Sequence, residues 1–222
     1  MVLMRYYSQI GQDKLVNERI FGEAENGFFV DVGAHDGVSF SNTYFFEKHK
    51  NWKGLCIEPL PDVYKQLEKN RTSICVEGAI FTEEGFQDFM VLPESKDMLS
   101  GLVNEYDPRH LDRINKVLEN SPVKSQIIKV KTYTLQSILD KNNVTQIDLL
   151  SIDTEGAELA VLHSVDFTKV RIECIVIENN YQDKSVAEFL TALDYSLVEK
   201  LQFDDIYLHK NSKYSFLQMK DK

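Results

Sequence analysis

Long hydrophobic runs are missing from this 222-residue sequence. The longest apolar stretches, such as 27–32 and 172–177, are strand-sized, far below the roughly 20 residues a membrane-crossing helix needs. The opening stretch 1–12 lacks the apolar centre of a secretory leader, so a cytoplasmic protein without a membrane span is expected. Cysteine is scarce and odd in number: the three, Cys56, Cys75 and Cys174, lie inside apolar, strand-like segments and not at metal-ligand spacing. They read as reduced core residues of a cytosol-like compartment. Positive charge is in deficit, with 25 Lys and Arg against 35 Asp and Glu and a net charge of -10. Such a chain offers no general attraction to phosphate backbones or anionic lipid, and nucleic acid is not an expected partner. There is no repeat period or low-complexity tract, no G-x-x-x-x-G-K-[ST] and no G-x-G-x-x-G.

What the sequence does contain is short apolar runs separated by stretches of helical period, with 43% hydrophobic residues, enough for one sizeable core. The runs at 28–32, 54–57, 74–76, 147–152 and 172–177 are apolar on both faces, as strands between two helix layers are. Between them 42–50, 62–70, 135–142 and 158–164 read as crossover helices. The alternation predicts an α/β fold: a Rossmann-like doubly wound sheet, mostly parallel, with helices on both faces. A helix is expected at 184–193. The strand-like runs 195–201 and 206–210 follow, and a connection as short as 202–205 makes them a C-terminal antiparallel hairpin.

Residues 1–222 read as a single domain with an insertion or lid at 93–126, the least regular stretch. Inside it Asp107 is a good N-cap and Pro108 suits the first helical position. Leu111, Ile114 and Leu118 fall on one face before Ser121-Pro122 stops the helix. Arg109, Arg113 and Lys116 align opposite, as a solvated basic face or as a patch for an acidic group on a substrate or partner. His110 on this helix reads as an exposed histidine, with a base delivered by a lid as the alternative.

Four of the five runs end in an acid: Asp31, Glu58, Asp153 and Glu178. In an open parallel sheet that edge is where ligands bind. The segment 28–37 runs from a buried strand into a glycine turn, with Ser39, Ser41 or Asn42 able to cap the next helix. Gly33 permits close ligand approach and Gly37 helps the turn enter the helix. From Gly33 the order is G-A-H-D-G, without the middle glycine that admits a dinucleotide pyrophosphate. Glu58, twenty-five residues after Gly33, stands where a carboxylate can accept both ribose hydroxyl protons. A surface acid at a strand end is the other reading.

Several strings together resemble the FkbM-type methyltransferases, Class I S-adenosylmethionine-dependent enzymes. They are Tyr7-Ser-Gln-Ile-Gly-Gln-Asp13, Phe29-Val-Asp-Val-Gly-Ala-His-Asp-Gly37, Ser41-Asn-Thr-Tyr44, Cys56-Ile-Glu-Pro59 and Ile152-Asp-Thr-Glu-Gly-Ala-Glu158. The likeness spans roughly residues 6 to 210, and 93–126 departs most from it. It implies that Asp31, Gly33 and the turn Ala34, His35, Asp36 and Gly37 hold the methionine part of S-adenosylmethionine. Glu58, followed by Pro59, would hold the ribose, and Gly78 and Ala79 would flank the adenine. Gln9 and Gln12 would reach the cofactor from the N-terminal segment, Ser41 or Asn42 from the first helix, and Asp153 from the opposite strand; Gln9 and Gln12 read equally well as polar surface residues.

A sulfonium is already a strong electrophile, so such an enzyme mainly aligns the acceptor oxygen with the S–CH3 axis and removes its proton. The candidates for catalysis are Asp153, Glu155, Glu178 and His35. An acid ending the fourth strand with an acid-Asn pair ending the fifth is similar to the magnesium site of catechol-type O-methyltransferases. Asp153, Glu178 and Asn179 are therefore candidate ligands of Mg2+ or Mn2+, with Glu155 or His35 as proton acceptor. The metal-free alternative uses Asp153 or Glu155 directly. His35 can also serve only backbone hydrogen bonds, and Glu158 reads as a structural acid at a helix N-terminus. Trp52 reads as packing. The expected activity is methyl transfer to a hydroxyl of a sugar or glycan. The alternatives are a methyltransferase for a non-sugar metabolite, N- or carboxyl-methylation, and a non-catalytic docking module of a glycan-modifying assembly.

Overall fold

The computed structural model describes residues 5–22, 24–93, 96–119 and 124–217. In chain order, α1 (Gln12–Val16) runs into a π turn, then β1 (Phe28–Val32), α2 (Tyr44–Lys50), β2 (Lys53–Glu58), α3 (Pro61–Asn70) and β3 (Ile74–Glu77) alternate. Next come β4 (Ala79–Ile80), β5 (Gly85–Val91), a 3-10 turn at Asp97–Leu99, β6 (Gly101–Leu102), α4 (Pro108–Leu118) and β7 (Gln126–Tyr133). The chain ends with α5 (Leu135–Lys141), β8 (Gln146–Ile152), α6 (Glu158–His163), β9 (Arg171–Glu178), α7 (Lys184–Ala192), β10 (Tyr195–Leu201) and β11 (Asp204–His209).

A seven-stranded sheet has the order β10-β11-β9-β8-β1-β2-β3. Its β3, β2, β1, β8 and β9 are mutually parallel, and β11 and β10 close it antiparallel. This is the Rossmann-like sheet with a terminal hairpin that the alternation predicts. The hairpin is tighter than expected, because β11 begins at Asp204 and leaves only Gln202 and Phe203 between the strands, with Gln202 at φ 52. Asp204 and Asp205 thus become buried strand residues opposite Glu178 and Ile177.

Successive side chains alternate between the two faces of a strand, and the core divides accordingly. Val30, Val32, Leu55 and Ile57 join one apolar layer, while Phe29 and Cys56 join another that holds Phe45, Phe46 and Trp52. Trp52 is a core residue: its ring lies 4.6 Å from that of Phe46, and its N–H donates to the Ala24 carbonyl at 3.1 Å. The three cysteines are free thiols, two of them buried.

The stretch expected as an insertion belongs to a longer excursion. Residues 79–133 carry a second sheet, order β4-β7-β5-β6, in which β5 pairs antiparallel with β7 and β6. The excursion leaves beside β3 and returns through β7, whose last residues lie parallel to β4. Within it α4 has the expected start: the Asp107 side chain accepts from the Arg109 N–H at 2.7 Å, with Pro108 at the first position. The expected stop at Ser121-Pro122 lies outside the described residues. No helix among the described residues is long and apolar enough to cross a membrane.

Candidate active site

The strand order runs one way from β1 through β2 to β3 and the other way from β8 to β9, so β1 and β8 flank the topological switch point where open α/β sheets bind ligands. A cavity of about 650 Å³ opens there. Gly33 leaves β1 at φ 83, and a Cβ on it would lie 1.8 Å from the Asp153 carbonyl oxygen. No side chain fits at that position, which is why the two strand ends approach so closely. Behind the turn, the fully buried Arg71 guanidinium ties α2 to it. Arg71 donates to Glu47 at 2.9 Å, to the Thr43 hydroxyl at 2.9 Å and to the Gly37 carbonyl at 3.0 Å. Its Nη1 stands 3.9 Å from Asp31 Oδ2. Burial raises the Asp31 pKa and the Arg71 charge opposes that rise.

Glu58 ends β2 with its carboxylate turned back on the glycine turn, accepting the His35 N–H and the Leu60 N–H, both at 2.9 Å. Burial lifts it to about 7 in spite of those two hydrogen bonds. His35 sits at φ 48 with Nε2 3.3 Å from Asp97 Oδ2. Burial works against its charge, but the carboxylates of Asp36, 3.9 Å from Nδ1, and of Asp97 outweigh it and raise its pKa. Asp36 accepts the Val38 and Ser39 N–H groups at 2.8 and 2.7 Å, an Asx-type turn that fixes the loop.

Across the cavity, carboxylate oxygens of Asp153, Glu155 and Glu178 lie within 4.8 Å of one another. At an effective dielectric of about 20 each ionised pair at that separation repels by roughly 3 kcal/mol, so the ligand-free cluster retains protons at neutral pH. Asp153 opens onto the cavity but is hemmed in by protein. That confinement, then the charges of Asp204, Glu158 and Asp31, raises it to about 8. Burial and neighbouring acids likewise push Glu155 and Glu178 well up. The loop is held by Glu158, whose carboxylate accepts from the Thr154 N–H and hydroxyl and from the Gly156 N–H at 2.9–3.0 Å, a structural role. Gly156 is needed because a Cβ there would meet the Glu105 carbonyl oxygen at 2.7 Å.

The model of the family described as "Methyltransferase FkbM domain" matches residues 31–213. The chain belongs to the FkbM family of S-adenosylmethionine-dependent methyltransferases. Among solved structures it is similar to a methyltransferase FkbM from Methylobacillus flagellatus KT, with 15% identity, TM-score 0.48 and 84% of this chain covered. The match takes in 44% of that protein, so the chain spans less than half of its length. A TehB-like SAM-dependent methyltransferase from Corynebacterium glutamicum matches at 10% identity and TM-score 0.44, covering 93% of this chain and 89% of its own. TrmK of M. capricolum, solved with S-adenosyl-homocysteine, matches at 9% identity and TM-score 0.44, covering 98% and 74%. No curated protein matches the chain.

In this member of the FkbM family the four strand-end acids Asp31, Glu58, Asp153 and Glu178 all line one cavity. Gln9, Gly33, Ala34, His35, Ser41 and Asn42 line it too, as do Pro59, Gly78, Ala79 and Glu155. Four expected residues do not. Gln12 is buried with its amide donating to Asp204, and Asp36 and Gly37 shape the turn from behind. The Asn179 amide donates to Asp205 at 2.9 Å and to the Asp183 carbonyl at 3.2 Å, while its oxygen accepts the Asp183 N–H. The side chains of Asp153, Glu178 and Asn179 therefore do not converge as a ligand set; Glu155 stands where Asn179 was expected. His110 is not exposed but 1% accessible, stacked on Tyr106, with Nδ1 3.4 Å from Glu155 Oε2. One helical turn before the buried Ile114, it shares the inward face of α4, a spacing visible in the sequence. Lining residues that sequence reasoning missed include Lys96, Asp97 and Phe203, which lie in turns with no periodic signal.

Proposed function

We propose that this protein transfers the methyl group of S-adenosylmethionine to a hydroxyl of a sugar or glycan. The observation that carries the reading is the composition of the cavity beyond its acids. The amides Gln9, Asn42 and Asn180 and the rings Phe40 and Phe203 line the same space as the strand-end carboxylates. Amides suit hydroxyl groups and aromatic faces suit the C–H faces of a sugar ring. In this reading the glycine turn and Asp31 hold the methionine part, Glu58 the ribose, and Gly78 and Ala79 the adenine. Asp153, Glu155 and Glu178 would face the sulfonium of the bound cofactor, whose positive charge would offset their mutual repulsion and let Glu155 ionise. The ionised Glu155 would then take the acceptor hydroxyl proton as the C–O bond forms. Both the methyl and the proton are accounted for: the methyl passes to oxygen, the thioether leaves neutral, and the carboxyl keeps the proton.

A second reading is favoured by one specific observation. Three carboxylate oxygens within 4.8 Å are a donor set suited to a hard divalent cation such as Mg2+ or Mn2+. A bound cation would lower the acceptor hydroxyl's pKa. Calorimetric titration of S-adenosylhomocysteine into wild type and Glu58→Ala, with and without Mg2+, tests the cofactor site before any acceptor is known. Mass-spectrometric screening of sugar acceptors with and without a chelator follows. Absence of binding to wild type would overturn the methyltransferase reading in favour of a docking module. Turnover unaffected by chelator would remove the metal.

A further inference from the structure

We infer that the acceptor carries an anionic group, a carboxylate, phosphate or sulfate, received by Arg113 and Lys96 on the wall of the cavity formed by the excursion. The inference deepens the proposed reading and rests on it.

The sequence has six arginines, and five are committed. Arg5 lies over the Tyr7 ring, Arg19 pairs with Glu199, Arg71 with Glu47, Arg109 with Asp107 and Arg171 with Glu173. Arg113 alone has no hydrogen bond, ion pair or ring contact among the described residues, and it lines the cavity. Lys96, also in the lining, has no side-chain partner among the described residues either. Both side chains are exposed, so neither is a buried charge waiting for a structural counter-ion.

Their origin matters as much as their freedom. Asp31, Glu58, Asp153 and Glu178 stand on the strand ends of the seven-stranded sheet, whereas Lys96 and Arg113 come from the excursion that carries the second sheet. The Arg113 charge is felt by Glu155, His110 and Tyr181, so it stands near the carboxylate assigned to the acceptor hydroxyl. One cavity thus holds an acidic floor suited to the cationic cofactor and, on the excursion, two cations, while Asp97, the acid beside them in the lining, is engaged by His35 at 3.3 Å. In a chain of net charge -10, unpaired cations facing that space would only hinder a cationic cofactor. They become useful once an anion occupies the acceptor end. A guanidinium matches the planar oxygens of a carboxylate or phosphate two at a time, and an ammonium adds an untargeted point charge.

The test uses the full chain saturated with S-adenosylhomocysteine, whose binding is measured first so that failure of the cofactor reading is seen separately. Inorganic phosphate is titrated at constant ionic strength and followed by nuclear magnetic resonance shifts. The expectation is saturable binding that weakens about tenfold or more in Arg113→Ala and several-fold in Lys96→Ala. Arg113→Lys should fall between, because it keeps the charge and loses the fork. Lys129→Ala, whose lysine pairs with Asp88 away from the cavity, should bind as wild type. In methyl transfer, glucuronate and glucose 6-phosphate are compared with glucose, and Arg113→Ala should raise KM for the anionic acceptors. Phosphate binding that is absent, or unchanged in both Arg113→Ala and Lys96→Ala while S-adenosylhomocysteine still binds, would overturn the inference. So would faster methylation of the neutral sugar.

Discussion

Replacing Glu58 with Gln should change how cofactor affinity depends on pH. The Glu58 carboxyl is 5% accessible, and its pKa near 7, against an ordinary carboxylate value of 4.5, corresponds to about 3 kcal/mol favouring the neutral form. Ribose hydroxyls donate to a carboxylate, so the cofactor selects the ionised form and its binding releases the retained proton. With a ligand-free pKa near 7, half the protein is competent at pH 7. About a tenth is competent at pH 6, so affinity should drop about tenfold per unit below 7 and level off above 8. Glu58→Gln removes this titration and one acceptor of the hydroxyl pair, lowering plateau affinity by about 2 kcal/mol. Calorimetry of S-adenosylhomocysteine binding from pH 5.5 to 8.5, in two buffers of different ionisation enthalpy, counts the proton directly. Asp204 at about 6 and Asp153 at about 8 titrate in the same range, so the diagnostic quantity is the difference between wild type and variant. Identical slopes in the two proteins would refute the assignment of Glu58 to the ribose.

Three further expectations concern the scaffold and the acid cluster. Gly33→Ala should abolish cofactor binding and lower the melting temperature, because its Cβ would lie 1.8 Å from a backbone oxygen; a variant that melts and binds as wild type would contradict the close approach of β1 and β8. Arg71→Met should cost about 3–5 kcal/mol by leaving Glu47 and Asp31 buried without their partner. Glu47 is held below its ordinary range, burial being outweighed by Arg71 and by hydrogen bonds. That stabilisation is present above about pH 4.5 and is lost as pH falls, so the deficit in thermal melts should be largest near pH 7 and shrink in acid. Asp153→Asn should raise the melting temperature of the ligand-free protein by a few degrees at pH 8 while abolishing methyl transfer. A carboxyl raised to about 8 costs stability progressively as pH climbs from 4 to 8. An unchanged melting temperature at pH 8 would show that the acid cluster stores no repulsion.

The seven-stranded sheet was readable because its central parallel strands are buried on both faces and therefore stand out as unbroken apolar runs; β8 and β9 are buried along nearly their whole length. The second sheet was less so, for a physical reason. Its β5 and β7 are half exposed, with Phe86 and Ile127 open to solvent, and β4 and β6 are two residues each, too short for any period. The proposed cofactor half of the cavity lies on strand ends and a glycine turn, whose chemistry is local in sequence. The proposed acceptor half depends on long-range placement: Asn179 turns toward the hairpin because Asp205 is there to receive it, and Glu155 at φ 57 swings into the cluster. Neither orientation follows from neighbouring residues. His110 is the intermediate case, since its spacing to Ile114 was on the page while the partner beneath it was not.

The excursion of residues 79–133 begins and ends at one place, with Ala79 beside Thr132 and Ile80 beside Tyr133 on adjacent parallel strands. A segment with a shared doorway can be lengthened, shortened or exchanged without moving the strands on either side of it. Everything assigned to the cofactor, apart from the doorway residues Gly78 and Ala79, lies outside the doorway, and Lys96, His110 and Arg113 lie inside it. The inferred preference for an anionic acceptor is therefore graftable: one continuous piece of chain, moved between proteins of this architecture, would carry Lys96 and Arg113 with it and leave the methyl donor's seat intact.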